Sequence, residues 1–250
     1  MVINMTEKVI AIVPAYNEEK NIRLVINSLQ DSVRAGVISD FVIVANGCTD
    51  FTYKKALTWG AKAIKLPVAN KGGAFIEGVK WAHKQGASTV VTIDADVKRF
   101  NPSSIKHLVT PIIKKQTPMT ITTAMLKTNK VEFPPEYSGF RAISMKALKP
   151  IIAGNKDWIK QLTLGKYSLE LGLNTKIFGI HHTELNFLRY HDGESSRLVD
   201  RSVLPPLFIV RRGIRDPNVC LDFRKIREHV LKRKHKLSLL TKQRAKRKVK

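Results

Sequence analysis

Four short apolar runs, each closed by turn residues and followed by a stretch of different periodicity, constrain this chain more than any other feature. Val9–Val13, Phe41–Ala45, Ala61–Leu66 and Ser88–Ile93 are all of strand length. Strands covered on both faces of a parallel sheet have this form, without polar alternation. After the first, Ile22, Val25, Ile26, Leu29 and Val33 recur at helical spacing. Asn17 or Glu18 can open that helix and Gly36 can stop it. Lys54–Trp59 and Gly72–Gly86 read as further helices. The βαβαβαβ order predicts an α/β fold with a doubly wound, mainly parallel sheet. Pro14 is expected to end the first strand.

Beyond Asn101-Pro102 the pattern predicts a helix to about Lys115, then a strand over Met119–Met125. Lys127–Tyr137, with Pro134-Pro135, reads as a long loop, and such loops in compact domains are usually functional or mobile. A helix is expected around Ala142–Leu148. From Arg224 the pattern is helical again, with Ile226, Val230, Leu231, Leu237 and Leu240 set among dense Lys and Arg. Lys242–Lys250 has the composition of a disordered end. The expected division is a domain over 1–210 and a basic extension over 211–250.

Charge follows that division. Of the net +24, residues 211–250 carry 16 Lys or Arg against 3 Asp or Glu, a net +13. This asymmetry calls for an anionic partner: a phosphorylated substrate, an anionic membrane surface or RNA. Cys48 and Cys220 are too few for a disulfide framework and lack metal-ligand spacing. No run approaches the roughly 18 apolar residues of a spanning helix. Met1–Lys8 lacks the layout of a signal peptide. A cytoplasmic location follows as the expectation, with 211–250 either a solvated extension or a peripheral contact at the membrane's cytoplasmic face.

The chemistry-bearing residues gather where the predicted strands end. Asp94 and Asp96 are spaced i, i+2, which puts both carboxylates on one face. Carboxylates suit Mg²⁺ or Mn²⁺, ions that keep positions open for phosphate oxygens. After the first strand come Pro14, Tyr16, Asn17 and Glu18. A Tyr or Pro edge can cover a nucleobase and Glu18 can accept from a ribose hydroxyl, although capping alone explains Asn17 and the glutamates. Asp50 in Asn46-Gly47-Cys48-Thr49-Asp50 can accept from a base N–H or cap the next helix. Lys71 in Asn70-Lys71-Gly72-Gly73 stands at a helix start that can face a pyrophosphate. Ligands of open α/β sheets bind at the carboxyl ends of strands. All four groups point there.

In order, Val13-Pro-Ala-Tyr-Asn-Glu-Glu19, Asn46-Gly-Cys-Thr-Asp50, Asn70-Lys-Gly-Gly-Ala74 and Asp94-Ala-Asp96 resemble the glycosyltransferase family 2 domain of the GT-A fold, over roughly residues 8–195. The resemblance implies a nucleoside-diphosphate-sugar donor, a divalent Mg²⁺ or Mn²⁺ ion, and transfer of a hexose. By position, Pro14, Tyr16, Glu18 and Asp50 hold the nucleoside, Lys71 approaches base or phosphate, Asp94 the ribose, and Asp96 the metal. Many relatives have Asp-Asp-Gly where this chain has Ala45-Asn46-Gly47, which leaves UDP and GDP both open. The second half is more loosely similar to glucosyl- and mannosyl-phosphoglycerate synthases. Glu136–Ala142 matches an acceptor-side turn before a helix, Glu170 a glutamate near the sugar, and His191 a histidine on the metal. Glu170 is either a base for a neutral acceptor hydroxyl or a group that positions substrate, and the stereochemical outcome stays open. A small acidic acceptor would use Lys127, Lys130 and Arg141. A lipid-phosphate acceptor resembles the case of polyprenyl-phosphate sugar transferases. The contrasting possibility is a catalytically silent domain of this fold binding RNA through its basic tail; the chain has no RNA-binding module, so nucleic acid is not the expected partner.

Overall fold

The computed structural model describes residues 7–121, 124–125, 132–133, 138–165, 168–178, 199–200 and 208–209. The expected division at 210/211, the basic stretch 211–250, His191, Lys127 and Lys130 lie outside them.

Strands β1 (Val9–Ala15), β2 (Asp40–Asn46), β3 (Lys62–Leu66) and β4 (Thr89–Thr92) alternate with helices α1 (Ile22–Arg34), α2 (Thr52–Thr58) and α3 (Lys71–Lys84). Then follow β5 (Val97–Arg99), α4 (Pro102–Ile113), β6 (Met119–Ile121), β7 (Ala124–Met125), β8 (Glu132–Phe133) and β9 (Arg141–Ser144). Helices α5 (Lys149–Ile152), α6 (Lys156–Thr163) and α7 (Ser168–Phe178) precede β10 (Val199–Asp200) and β11 (Phe208–Ile209). The main sheet has seven strands in the order β11-β6-β9-β4-β1-β2-β3. β1 pairs in parallel with β2 and β4, and β2 with β3. β9 runs antiparallel between β4 and β6, and β11 antiparallel to β6. The mainly parallel α/β expectation is borne out.

Both faces of this sheet are covered. On β1, Val9, Ala11, Val13 and Ala15 pack with α1 and α4, while Ile10 and Ile12 pack with α3 and α5–α7. That two-sided burial explains the unbroken apolar runs.

Two expectations are corrected. Pro14 does not end β1, which continues to Ala15 opposite Ala45. The Ile93 N–H donates to the Ile12 carbonyl, so residues of Ile12's parity, Pro14 included, face β4. Pairing of β1 with β4 stops at Ile12↔Thr92, so the missing Pro14 N–H has no ladder bond to forfeit. The helix expected around Ala142–Leu148 is instead strand β9 and a turn, and the short α5 begins only at Lys149. Buried Ala142 and Ile143 sit between two strands, and pairing on both sides outweighs local helical preference. Among the described residues no helix is long and apolar enough to cross a membrane.

Candidate active site

The ends of β1 and β2 and the start of α3 are joined through amide side chains, and the end of β4 meets α3 through the Lys71–Asp94 ion pair. Asn46, at the end of β2 and buried, donates from Nδ2 to the Ala15 carbonyl (2.8 Å) and accepts at Oδ1 from the Asn70 N–H (3.1 Å). Asn70 caps α3, accepting from the Gly73 N–H at 2.8 Å, and its Nδ2 donates to the Thr163 carbonyl at 3.0 Å. One side chain therefore ties β1 to β2 and to the loop before α3. An aspartate could not donate to Ala15, so at this position the departure from Asp-Asp-Gly has a structural use.

Beyond β1, Tyr16 is 51% exposed and Asn17 adopts the left-handed region at φ 54°. The Thr49 N–H donates to Asn17 Oδ1 at 2.9 Å, which holds the two loops side by side. Asp50 accepts from the Thr52 N–H (2.9 Å), the Thr52 hydroxyl (2.5 Å) and the Glu19 N–H (3.1 Å). Partial burial works against its charge, but these bonds win and hold its carboxyl below the usual aspartate range. Asp50, which precedes the N-cap Phe51, thus joins the first residue of α2 to the loop after β1.

Glu18 behaves oppositely. Burial pushes its carboxyl up, the bond from Asn21 opposes this, and the like charges of Asp96, Asp50 and Asp94 add to the rise. A carboxyl whose folded pKa is raised binds its proton more tightly in the folded state. Stability therefore falls as pH rises through that range, and at neutral pH the ionised cluster costs stability that a cation would relieve.

Lys71 opens α3 and bridges two carboxylates: Nζ is 2.6 Å from Asp94 Oδ1 and 2.5 Å from Glu170 Oε1. Desolvation disfavours its charge, but Asp94 and Glu170 override this and hold the ammonium well above the usual lysine range. The Glu170 side chain is 1% exposed, and its Oε2 has no hydrogen-bond partner among the described residues. Buried Thr92 Oγ1 on β4 is likewise without one. Sequence order hides this bridge, because its lysine and glutamate lie 99 positions apart.

Gly139 packs onto the bridge. A Cβ there would stand 2.2 Å from both Asp94 carboxylate oxygens, so only glycine lets this turn approach Asp94. Gly139→Ala is expected to displace Asp94, lower stability by about 1–3 kcal/mol and cut turnover at least about tenfold. Thermal unfolding and initial rates check this; wild-type rates would show that Asp94 does not need its place.

The expectation that Arg141 offers charge to an acidic acceptor is corrected. It is 0% exposed and donates inward, because its place in β9 turns the side chain towards α7. The signal available in sequence was the apolar pair Ala142-Ile143 beside it, which marks a covered strand.

The family model for glycosyl transferase family 2 matches residues 10–168. The chain belongs to glycosyl transferase family 2. It is 34% identical over 188 residues to the UDP-N-acetylglucosamine–dolichyl-phosphate N-acetylglucosaminyltransferase of Methanococcus voltae, covering 58% of this chain and 73% of that protein. It is 32% identical over 95 residues to the undecaprenyl-phosphate mannosyltransferase of Micrococcus luteus, covering 36% of this chain and 38% of that one. The crystal structure of glucosyl-3-phosphoglycerate synthase from Mycobacterium tuberculosis with Mn²⁺ and UDP-glucose superposes with a TM-score of 0.54 at 22% identity, over 70% of this chain and 66% of the synthase. That likeness carries the fold, which is of the GT-A type.

A divalent ion finds a sparse set of protein donors in this family 2 glycosyltransferase. Among the described residues no group of three or more His, Cys, Asp or Glu is arranged to hold one unaided. Mg²⁺ commonly takes one or two carboxylates and completes its shell with substrate phosphates and water. A half-buried Asp96 close enough to raise Glu18 fits that use.

Proposed function

We propose that this glycosyltransferase takes a sugar from a nucleoside-diphosphate donor and transfers it to a lipid-phosphate acceptor. The observation that carries the reading is the Asp94–Lys71–Glu170 bridge, set beside the carboxylates of Glu18, Asp50 and Asp96 at the carboxyl ends of parallel strands. The acceptor class is favoured by two family relatives named for lipid-phosphate acceptors, at 34% and 32% identity. The phosphoglycerate synthase contributes likeness of fold alone.

In this proposal Pro14 and Tyr16 flank the base, Glu18 and Asp50 accept from the nucleoside, and Asp94 accepts from a ribose hydroxyl. Lys71 already meets Asp94, so a cation would be repelled there and the metal-holding role falls to Asp96, with His191. Mg²⁺ or Mn²⁺, when bound, supplies positive charge to the departing diphosphate. Lys71 adds a second positive charge on the same side. A phosphate acceptor carries its own anionic nucleophile, so no side chain needs to remove a proton. Glu170 then orients the sugar, with Oε2 accepting from a hydroxyl. The basic stretch 211–250 would meet an anionic leaflet on the cytoplasmic side by charge, an attraction weakened by salt.

The test is a panel of UDP- and GDP-sugars with Mn²⁺ or Mg²⁺, scored for slow hydrolysis and for transfer to a short-chain polyprenyl phosphate or to phosphoglycerate. The expected result is hydrolysis of one donor class and transfer to the polyprenyl phosphate. Transfer to phosphoglycerate alone would overturn the acceptor. Neither hydrolysis nor thermal protection with any donor would overturn the function.

A further inference from the structure

Arg141 is the largest fully buried side chain of the described residues, and charge of this size is rarely enclosed without a task. Its register on β9 sets it opposite Thr92 of β4 and Ile121 of β6. From there Nε donates to the Ser138 carbonyl at 2.5 Å. The nitrogen Nη1 donates to the Glu170 carbonyl at 3.2 Å and to Asn174 Oδ1 at 2.5 Å, which grips two successive turns of α7. Ser138 precedes Gly139, the residue pressed against Asp94. Asp94 and Glu170 meet again across Lys71. The contacts close a ring: Asp94, Lys71, Glu170, the α7 backbone, Arg141, the Ser138-Gly139 turn, and Asp94 once more.

We infer that Arg141 is a positioning residue that sets the register of α7 against the β9 turn, and so fixes where the Glu170 carboxylate meets Lys71 and the bound sugar. A planar guanidinium with several fixed donors can hold a turn and a helix at one mutual angle, which a lysine reaching one acceptor cannot. The inference rests on the proposed transfer for its kinetic readout only.

Arg141→Lys would strand buried acceptors and is at risk of not folding, so the working variants change the other end of the grip. Asn174→Leu removes one α7 acceptor while Ser138 still holds the arginine; Asn174→Asp keeps an acceptor oxygen and serves as the rescue. The full chain is assayed for sugar-nucleotide turnover and for amide hydrogen exchange. Asn174→Leu is expected to lower kcat about 10–100-fold with donor KM within about threefold. Asn174→Asp should return kcat to within about threefold of wild type. Exchange should quicken in 168–178 and also in 71–73, across the Lys71 bridge. Added to Glu170→Gln, Asn174→Leu should cost less than about twofold more, since the group it positions is already gone. Faster exchange confined to 168–178, or kinetic losses that simply multiply, would overturn the inference. If wild type turns over no donor, the functional reading fails by itself, and the exchange in 71–73 still decides the coupling.

Discussion

Asp96→Ala is expected to lower sugar transfer at least about 10³-fold while leaving the melting temperature unchanged or slightly raised. Two unit charges 4 Å apart at an effective dielectric of 20 interact by about 4 kcal/mol before desolvation is deducted, and this corresponds to roughly three decades in rate. Asp96 sits in the turn after β4, outside the regular strands and helices. Asp96 is one of the charges that push the Glu18 carboxyl up, so its removal relieves repulsion in the metal-free protein. Asp96→Asn should behave alike, since an amide keeps the shape but not the charge. The measurement is kcat/KM for the best donor across a Mn²⁺ titration, with unfolding followed in parallel. Metal-dependent turnover within about tenfold of wild type would remove Asp96 from the proposed metal site.

The parts of this molecule readable in advance are those whose physics is local. β1 to β4 announce themselves because a strand covered on both faces by helices has no polar positions to interrupt it. The acids Glu18, Asp50, Asp94 and Asp96 were also legible, since each follows a strand at the carboxyl end of the sheet. What stayed hidden depends on partners far along the chain. Arg141-Ala142-Ile143-Ser144 becomes a strand because β4 and β6 pair with it from both sides, and the same pairing turns the arginine inward. Lys71 was legible as a cation at a helix start, but not its grip on Glu170, which needs α6 and α7 folded back over α3. Gly72 marks that closeness: a Cβ on it would lie 1.9 Å from the Leu162 carbonyl. Asn46 is a departure from Asp-Asp-Gly in the sequence, and its use, an amide joining Ala15 to Asn70, depends on partners that only the fold brings to it. Pro14 misled through a rule that holds for interior strands. It fails where the neighbouring strand has already parted.

Lys71→Met and Glu170→Gln should separate stability from catalysis at the same bridge. Lys71→Met leaves Glu170 enclosed without its counter-ion, a loss that for fully buried pairs costs about 3–5 kcal/mol. The lysine side chain is 40% exposed, so water reaching the bridge reduces this to about 2–3 kcal/mol. For a chain of 250 residues that is a fall in melting temperature of about 4–12 °C. Glu170→Gln should melt close to wild type, because an amide oxygen still accepts from Lys71 while Asp94 keeps the charge pair. Both variants should lose activity, Glu170→Gln about 10²-fold and Lys71→Met more, as the latter also removes the positive charge proposed to act on the departing diphosphate. The double variant Lys71→Met/Glu170→Gln is the informative one. With the buried charge gone, its melting temperature should recover most of the loss seen in Lys71→Met, while its activity stays at or below that of either single variant. Recovery of turnover together with stability would mean that the bridge only holds the fold. The proposed contacts of Lys71 with the diphosphate and of Glu170 with the sugar would then have to be abandoned.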